Sequence, residues 1–112
     1  MDKLEKYRSI IEKILTEYAS MPYAYGEIRS QTIFDRANDQ YLLVDIGWNK
    51  RRYRVHGIVV HVEIVNNKFY IQYDGIEGGI ASDLEREGVP KSDIVLAFHE
   101  PELRKFTEYA AA

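Results

Sequence analysis

The 112-residue sequence has no cysteine, which excludes a disulfide framework and any thiolate metal site. It has no uninterrupted apolar run near the ~18 residues of a membrane span, and its opening MDKLEKYRS is too polar for a secretory leader. An excess of positive charge is also missing. Fifteen Lys and Arg against 18 Asp and Glu leave a formal net charge of −3, which argues against a surface built to wrap nucleic acid. No repeat, low-complexity tract or linker divides the chain. These absences point to a soluble, cytoplasmic protein forming one domain over residues 1–112, large enough to bury roughly 65% of its unfolded surface without a staple. No cofactor is called for.

What is present in quantity is β pattern and tyrosine. The stretch 41–75, YLLVDIGWNKRRYRVHGIVVHVEIVNNKFYIQYDG, reads as three antiparallel strands. They are joined by a basic loop at Asn49–Arg52 and a two-residue turn at Asn66–Asn67, where Asn tolerates the positive φ that a tight hairpin requires. Pairing Val65 with Lys68 sets Ile64 opposite Phe69, Val62 opposite Ile71, His61 opposite Gln72 and Val60 opposite Tyr73. Ile58, Val60, Val62, Ile64, Phe69, Ile71 and Tyr73 then share a core-facing side, and His61, Glu63, Tyr70, Gln72 and Asp74 share a wet one. By the same parity Leu42, Val44, Ile46 and Trp48 point into the core. Nine tyrosines add amphipathic side chains suited to a contact surface.

Flanking this stretch, Asp2 and Glu5 form a capping box for a helix to about Ala19, with Leu4, Tyr7, Ile11, Ile14, Leu15 and Tyr18 as one apolar stripe. The stripe is too short for a coiled coil and suits packing on a sheet. Ser20–Gly26 reads as a loop, Glu27–Asp35 as a strand and Ala37–Asp39 as a turn. After Gly75, Ile80, Ala81 and Leu84 predict a short helix ending near Glu87, with Gly88 at its C′ position. Asp93–Phe98 is a buried strand or an extended tuck. Pro101 opens a last helix to about Tyr109. The expected fold is α+β: an antiparallel meander of at least four strands against a long N-terminal helix and short C-terminal helices.

Three constellations bear on chemistry. On the wet face, Asp45, His61, Glu63, Gln72 and Asp74 would form one polar patch. A histidine among carboxylates resembles a divalent-metal site or an acid–base pair. Only one histidine falls on that face, because His56 has the opposite parity, so an ordinary polar sheet face is the better reading. Lys50, Arg51, Arg52 and Arg54 at the hairpin tip could reach nucleic-acid phosphates, although charged tips are commonly just solvated. The glycine-rich turn Asp74–Gly79 lacks the spacing and the lysine of a phosphate loop and carries two carboxylates, so it reads as structural. No catalytic triad pattern stands out.

YLLVDIGW at 41–48, HGIVVHVEI at 56–64, FYIQYDGIEGGIA at 69–81 and GVPKSDIVLAFHEPELRKFT at 88–107 together resemble the XisI-like family, the fdxN-element excision controlling factors of cyanobacteria. The resemblance covers about two-thirds of the chain directly. Tyr70 stands where the family has Trp, Ile76 where it has Thr, Gly78 where it has an acidic residue and Glu100 where it has Pro. The change at Ile76 removes a helix N-cap. The resemblance implies an accessory role in excising a DNA element during heterocyst development, with a separate recombinase doing the strand chemistry. Its implied partner is a XisH-like protein, and the family has no established catalytic residues to carry over. The half-wet sheet face also suits a homodimer. Direct DNA binding through the basic loop is the alternative, and a metal-dependent hydrolase built on Asp45, His61 and Asp74 is a weaker one.

Overall fold

The computed structural model describes residues 2–22 and 27–112. Helix α1 (Lys3–Ala19) starts where expected, with Asp2 Oδ1 accepting from the Glu5 N–H at 2.7 Å. Its stripe buries Tyr7, Ile10, Ile11, Ile14 and Leu15. Of the predicted loop over 20–26, residues 23–26 lie outside the described residues. Four strands follow as an antiparallel meander: β1 (Glu27–Asp35), β2 (Gln40–Trp48), β3 (Arg54–Val65) and β4 (Lys68–Asp74). Asn66 and Asn67 take φ of 51° and 60° in the β3–β4 turn, the left-handed pair that this hairpin demands.

Two inserted residues change which side chains face the core. Leu43 pairs with Val60 but Val44 pairs with Ile58, leaving Val59 as an extra residue on β3. Val62 pairs with Ile71 but His61 pairs with Tyr73, leaving Gln72 extra on β4. A bulge of this kind shifts the side-chain alternation by one from that point onward. The predicted pairs Val65–Lys68, Ile64–Phe69 and Val62–Ile71 hold, whereas His61–Gln72 and Val60–Tyr73 do not. Ile58 and Tyr73, expected inside, are therefore exposed, at 48% and 53%. The parity expected for β2 is reversed along its length. Tyr41 and Leu43 are buried in the core, Asp45 shares their side, and Leu42, Val44, Ile46 and Trp48 lie on the other face.

The segment after β4 crosses over through α2 (Ile80–Arg86) and returns as β5 (Ile94–Leu96), parallel to β4. A parallel neighbour needs such a helical crossover, and this makes 94–96 a strand. Gly88 at φ 93° follows α2, as the C′ glycine should. The last helix, α3, spans only Pro101–Arg104 and buries no residue, so the C-terminal helix does not pack on the apolar face as expected. Beyond it, Ala110 donates to the Ile94 carbonyl at 2.8 Å and shields the β5 edge. The core is one cluster in which α1 and α2 cover Tyr41, Leu43, Val60, Val62, Ile64, Phe69 and Ile71. No helix among the described residues is long and apolar enough to cross a membrane.

Tyrosine hydroxyls donating to carboxylates fasten these layers. Tyr7 bonds Asp93 Oδ2 at 2.5 Å while its ring stacks on Phe69 at 4.7 Å. Tyr18 bonds Asp83, Tyr41 bonds Asp39 and Tyr109 bonds Glu85, at 2.5, 2.9 and 2.9 Å. Burial and the adjacent carboxylate push the Tyr18 and Tyr109 hydroxyls up to about 12 and raise those of Tyr7 and Tyr41 as well. An unfolded tyrosine ionises near about 10. Above that pH the unfolded chain gives up protons that the fold retains, so this stabilisation is complete below about pH 10 and fades as pH rises toward 12. The expected outcome is alkaline unfolding whose stability loss across this window becomes shallower in a Tyr18→Phe, Tyr109→Phe double variant. An unchanged slope in denaturant titrations from about pH 9 to about 12 would contradict it.

Candidate functional site

The side of the sheet turned away from α1 and α2 carries exposed apolar side chains. Its centre is a row running Ile33, Leu42, His61 and Tyr73, beside a second row of Gln31, Val44 and Ile58. Ile33 and Ile58 are 47% and 48% exposed, and Leu42, Val44 and Ile46 are half-buried by their neighbours alone. Contiguous apolar side chains of this kind, rimmed by polar ones, mark a contact surface in a soluble fold. Toward the hairpin tip the rim is Arg29, His56 and Arg54; at the opposite end it is Asp35, Gln40 and Glu63.

The predicted polar patch is divided: the Gln72 bulge turns Asp74 away, and Asp45 lies on the other side because Leu42 is the β2 residue that pairs with His61. His61, Glu63 and Gln72 do share the outer face, and Gln40, which strict alternation does not pick out, links them. His61 Nε2 lies 2.7 Å from Gln40 Oε1, Gln40 Nε2 donates to Glu63 Oε2 at 2.8 Å, and Gln72 Nε2 donates to Glu63 Oε1 at 2.6 Å. His61 and Glu63 are thus linked through the Gln40 amide. Asp45 is on the helix side, buried to 8% exposure, and accepts from the Ser30 hydroxyl at 2.6 Å. It lines a small hollow of about 180 Å³ with Tyr18, Leu43, Val59 and Ile76. Asp74, paired with Val60, also turns to the helix side.

Asp74 has a structural task there. Its Oδ1 accepts from the Ile76 N–H at 3.0 Å and its Oδ2 from the Ile80 N–H at 2.8 Å. The N-cap position of α2 is Gly79, which has no side-chain oxygen to offer. Ile76, expected to sit where a cap was lost, lies three residues before the N-cap, and Asp74, six residues before Ile80, supplies the acceptor. His56 joins His61 on the outer face, contrary to its predicted parity, because Val59 intervenes. Among the described residues no group of three or more His, Asp or Glu is placed to hold a metal ion.

The basic loop is where the sequence placed it, at the end of the β2–β3 hairpin. Lys50 falls among its exposed residues with Arg51, Arg52 and Arg54. The Arg54 guanidinium sits 5.1 Å from the centre of the exposed Trp48 ring. Glu27, Trp48, Asn49, Lys50 and Arg52 line an open hollow of about 620 Å³. A second apolar group, Phe98, Leu103 and Phe106, is exposed on the C-terminal segment. Nothing in its sequence periodicity marks it in advance.

Comparison with known proteins places this geometry. A family model described as XisI protein matches residues 1–111. The crystal structure of a XisI-like protein from Anabaena variabilis superposes with a TM-score of 0.87 at 32% identity, covering 97% of this chain and 99% of that one. That of the fdxN element excision controlling factor XisI from Anabaena variabilis superposes with a TM-score of 0.78 at 36% identity, covering 99% and 100%. No curated protein matches the chain.

A divalent ion held at a hundredfold excess over its dissociation constant would stabilise the fold by about 2.7 kcal/mol. With Asp45 and Asp74 on the far side of the sheet from His61, the melting temperature is expected to stay constant on adding Mn²⁺ or Zn²⁺. A rise that His61→Ala abolishes would contradict this division of the patch.

Proposed function

The chain belongs to the XisI family, and on that premise we propose that it is a non-enzymatic controlling factor for site-specific excision of a DNA element, acting in the cytoplasm by contact with a XisH-like protein. The process follows from its likeness to the fdxN element excision controlling factor XisI of Anabaena variabilis. The observation that carries the mode of action is the uncovered apolar sheet face, with Ile33, Ile58 and Tyr73 exposed at its middle. An interface centre of aliphatic and aromatic groups with a polar rim is the usual anatomy of specific protein contact, and a standard interface takes about 800 Å² per partner. The polar groups on this face are engaged with one another through Gln40 and Glu63, which suits recognition more than reaction. The XisH-like protein is the proposed occupant, and a second copy of the chain is the competing one.

Co-expression with the XisH-like protein and co-purification tests this reading. Wild type is expected to form a stable complex, and Ile58→Glu or Ile33→Glu to weaken it at least about tenfold, since each buries an unpaired charge at the interface. Both positions are exposed in the chain itself, so folding should change by only about 0.5 kcal/mol. An unaffected complex would move the contact elsewhere. Light scattering that finds a stable dimer of the chain alone, disrupted by the same substitutions, would assign the face to self-association.

The second reading, direct DNA contact, is favoured by the exposed cations of the β2–β3 tip. It predicts binding that weakens steeply with salt, and a salt slope that falls by about 0.9 for each phosphate no longer neutralised when Arg51 or Arg52 becomes Ala. Gel shifts flat across a salt series would remove it.

A further inference from the structure

The outer-face reading leaves the hairpin tip unused, and the tip is unlike the rest of the surface. Residues 48–56 read WNKRRYRVH, with four Lys and Arg and no carboxylate. The whole chain carries −3, so the residues outside this stretch carry −7. A cationic tip on an acidic body is a local attractor for polyanions. Charge alone would explain phosphate contact. It does not explain the two large aromatics exposed within the same stretch, Trp48 at 48% and Tyr53 at 66%.

We propose that this tip binds single-stranded nucleic acid, with Arg51, Arg52 and Arg54 on the phosphates and unpaired bases against Trp48 and Tyr53. Exposed aromatic rings have nothing to stack on in a closed duplex, whereas every unpaired base offers a π-face. The Arg54 guanidinium over the Trp48 ring extends that platform by cation–π contact. The hollow beside Trp48, about 620 Å³, falls in the usual range for small-ligand sites. Its Glu27 wall disfavours a phosphate there and offers an acceptor to a base amino group, leaving the phosphates to the exposed arginines.

The tip is also held in shape before any ligand arrives. Asn49 Oδ1 accepts from the Arg51 and Tyr53 N–H groups at 2.9 and 3.0 Å. The Asn49 N–H donates to the Tyr53 carbonyl and the Arg52 N–H to the Asn49 carbonyl, both at 2.9 Å. Arg52 sits in left-handed backbone at φ 67°, where a free loop would rarely place it. A preorganised loop sacrifices less entropy on binding than a mobile one.

The site deepens the second reading above and does not depend on the XisH-like partner, so it is tested on the chain alone. Trp48 is the sole tryptophan, and its fluorescence therefore reports from the site itself. Titration with an oligothymidylate of about 12 nucleotides is expected to quench it saturably. The matching oligouridylate separates a DNA from an RNA preference, and a duplex of equal length should bind more weakly. Tyr53→Ala should lower affinity roughly five- to 150-fold, the range for one stacked base, and leave the salt slope unchanged. Arg51→Ala should lower that slope by about 0.7. Equal or tighter duplex binding, no quenching, or a Tyr53→Ala protein of unchanged affinity would overturn the proposal. Circular dichroism of each variant checks that the fold is retained.

Discussion

Two extra residues in the ladder, Val59 on β3 and Gln72 on β4, determine what each side of this sheet can do. A strand alternates its side chains strictly, so one inserted residue transfers everything beyond it to the opposite face. Were Val59 paired in regular alternation, Ile58 would follow Val60 into the core and His56 would leave the face that carries His61. Were Gln72 so paired, Tyr73 would be buried and Asp74 would point outward, away from the amides of Ile76 and Ile80 that it now holds. The insertion at Gln72 takes the Asp74 carboxylate off the outer face, and the two insertions together bring Ile58 and Tyr73 onto it.

The helix layer depends on a different device. Tyr7 and Tyr18 lie on the inner face of α1, and each reaches a carboxylate on the segment after β4: Asp93 just before β5, and Asp83 in α2. Lys3 also meets Asp93 at 2.8 Å, and Arg8 pairs with Asp39, which accepts from Tyr41 as well. Burial works to raise the Asp93 carboxyl, but the Lys3 and Tyr7 hydrogen bonds outweigh it and hold the group below its ordinary range. Buried polar ends satisfied in this way specify one docking of the helix on the sheet where an apolar stripe alone would tolerate several. Gly47 adds a local constraint where β1 and β2 pair. A Cβ there would lie 1.9 Å from the Glu27 carbonyl oxygen, so the strands can close only on glycine.

Much of this is legible in the residues. The Asp2 cap, the extent of α1, the strand 27–35, the Asn66–Asn67 turn and the Gly88 terminus each rest on local chemistry, and local chemistry is what a sequence displays. The bulges are not displayed. Val59 is one β-branched residue in an apolar run, and nothing in GIVVHVEIV says which valine lies outside the register. The consequences propagate along the strands. Strict alternation along β3 separates His56 from His61. The grouping of Asp45 with His61 and the assignment of Trp48 to the core come instead from the phase of β2, whose register against β3 the residues do not display. Together these make the outer face a polar patch with a weak case for metal, when its middle is Ile33, Leu42, Val44 and Ile58. Gln40 escapes notice because an amide bridging two strands is recognisable only once the register is known. The family motifs survive these errors because they lie along the chain and do not depend on pairing.

One face of the sheet is sealed by helices, the other is apolar and open, and a cationic, aromatic tip stands at the end of the β2–β3 hairpin. The proposed contact places a protein partner on the open face. Methyl NMR of isoleucine-labelled chain, recorded with and without the XisH-like protein, tests this most directly. The account predicts that the methyls of Ile33, Ile46 and Ile58 shift or broaden while those of Ile11 and Ile14 under α1 stay in place. Perturbation confined to the α1 side or to the C-terminal segment, with those three methyls unmoved, would contradict it.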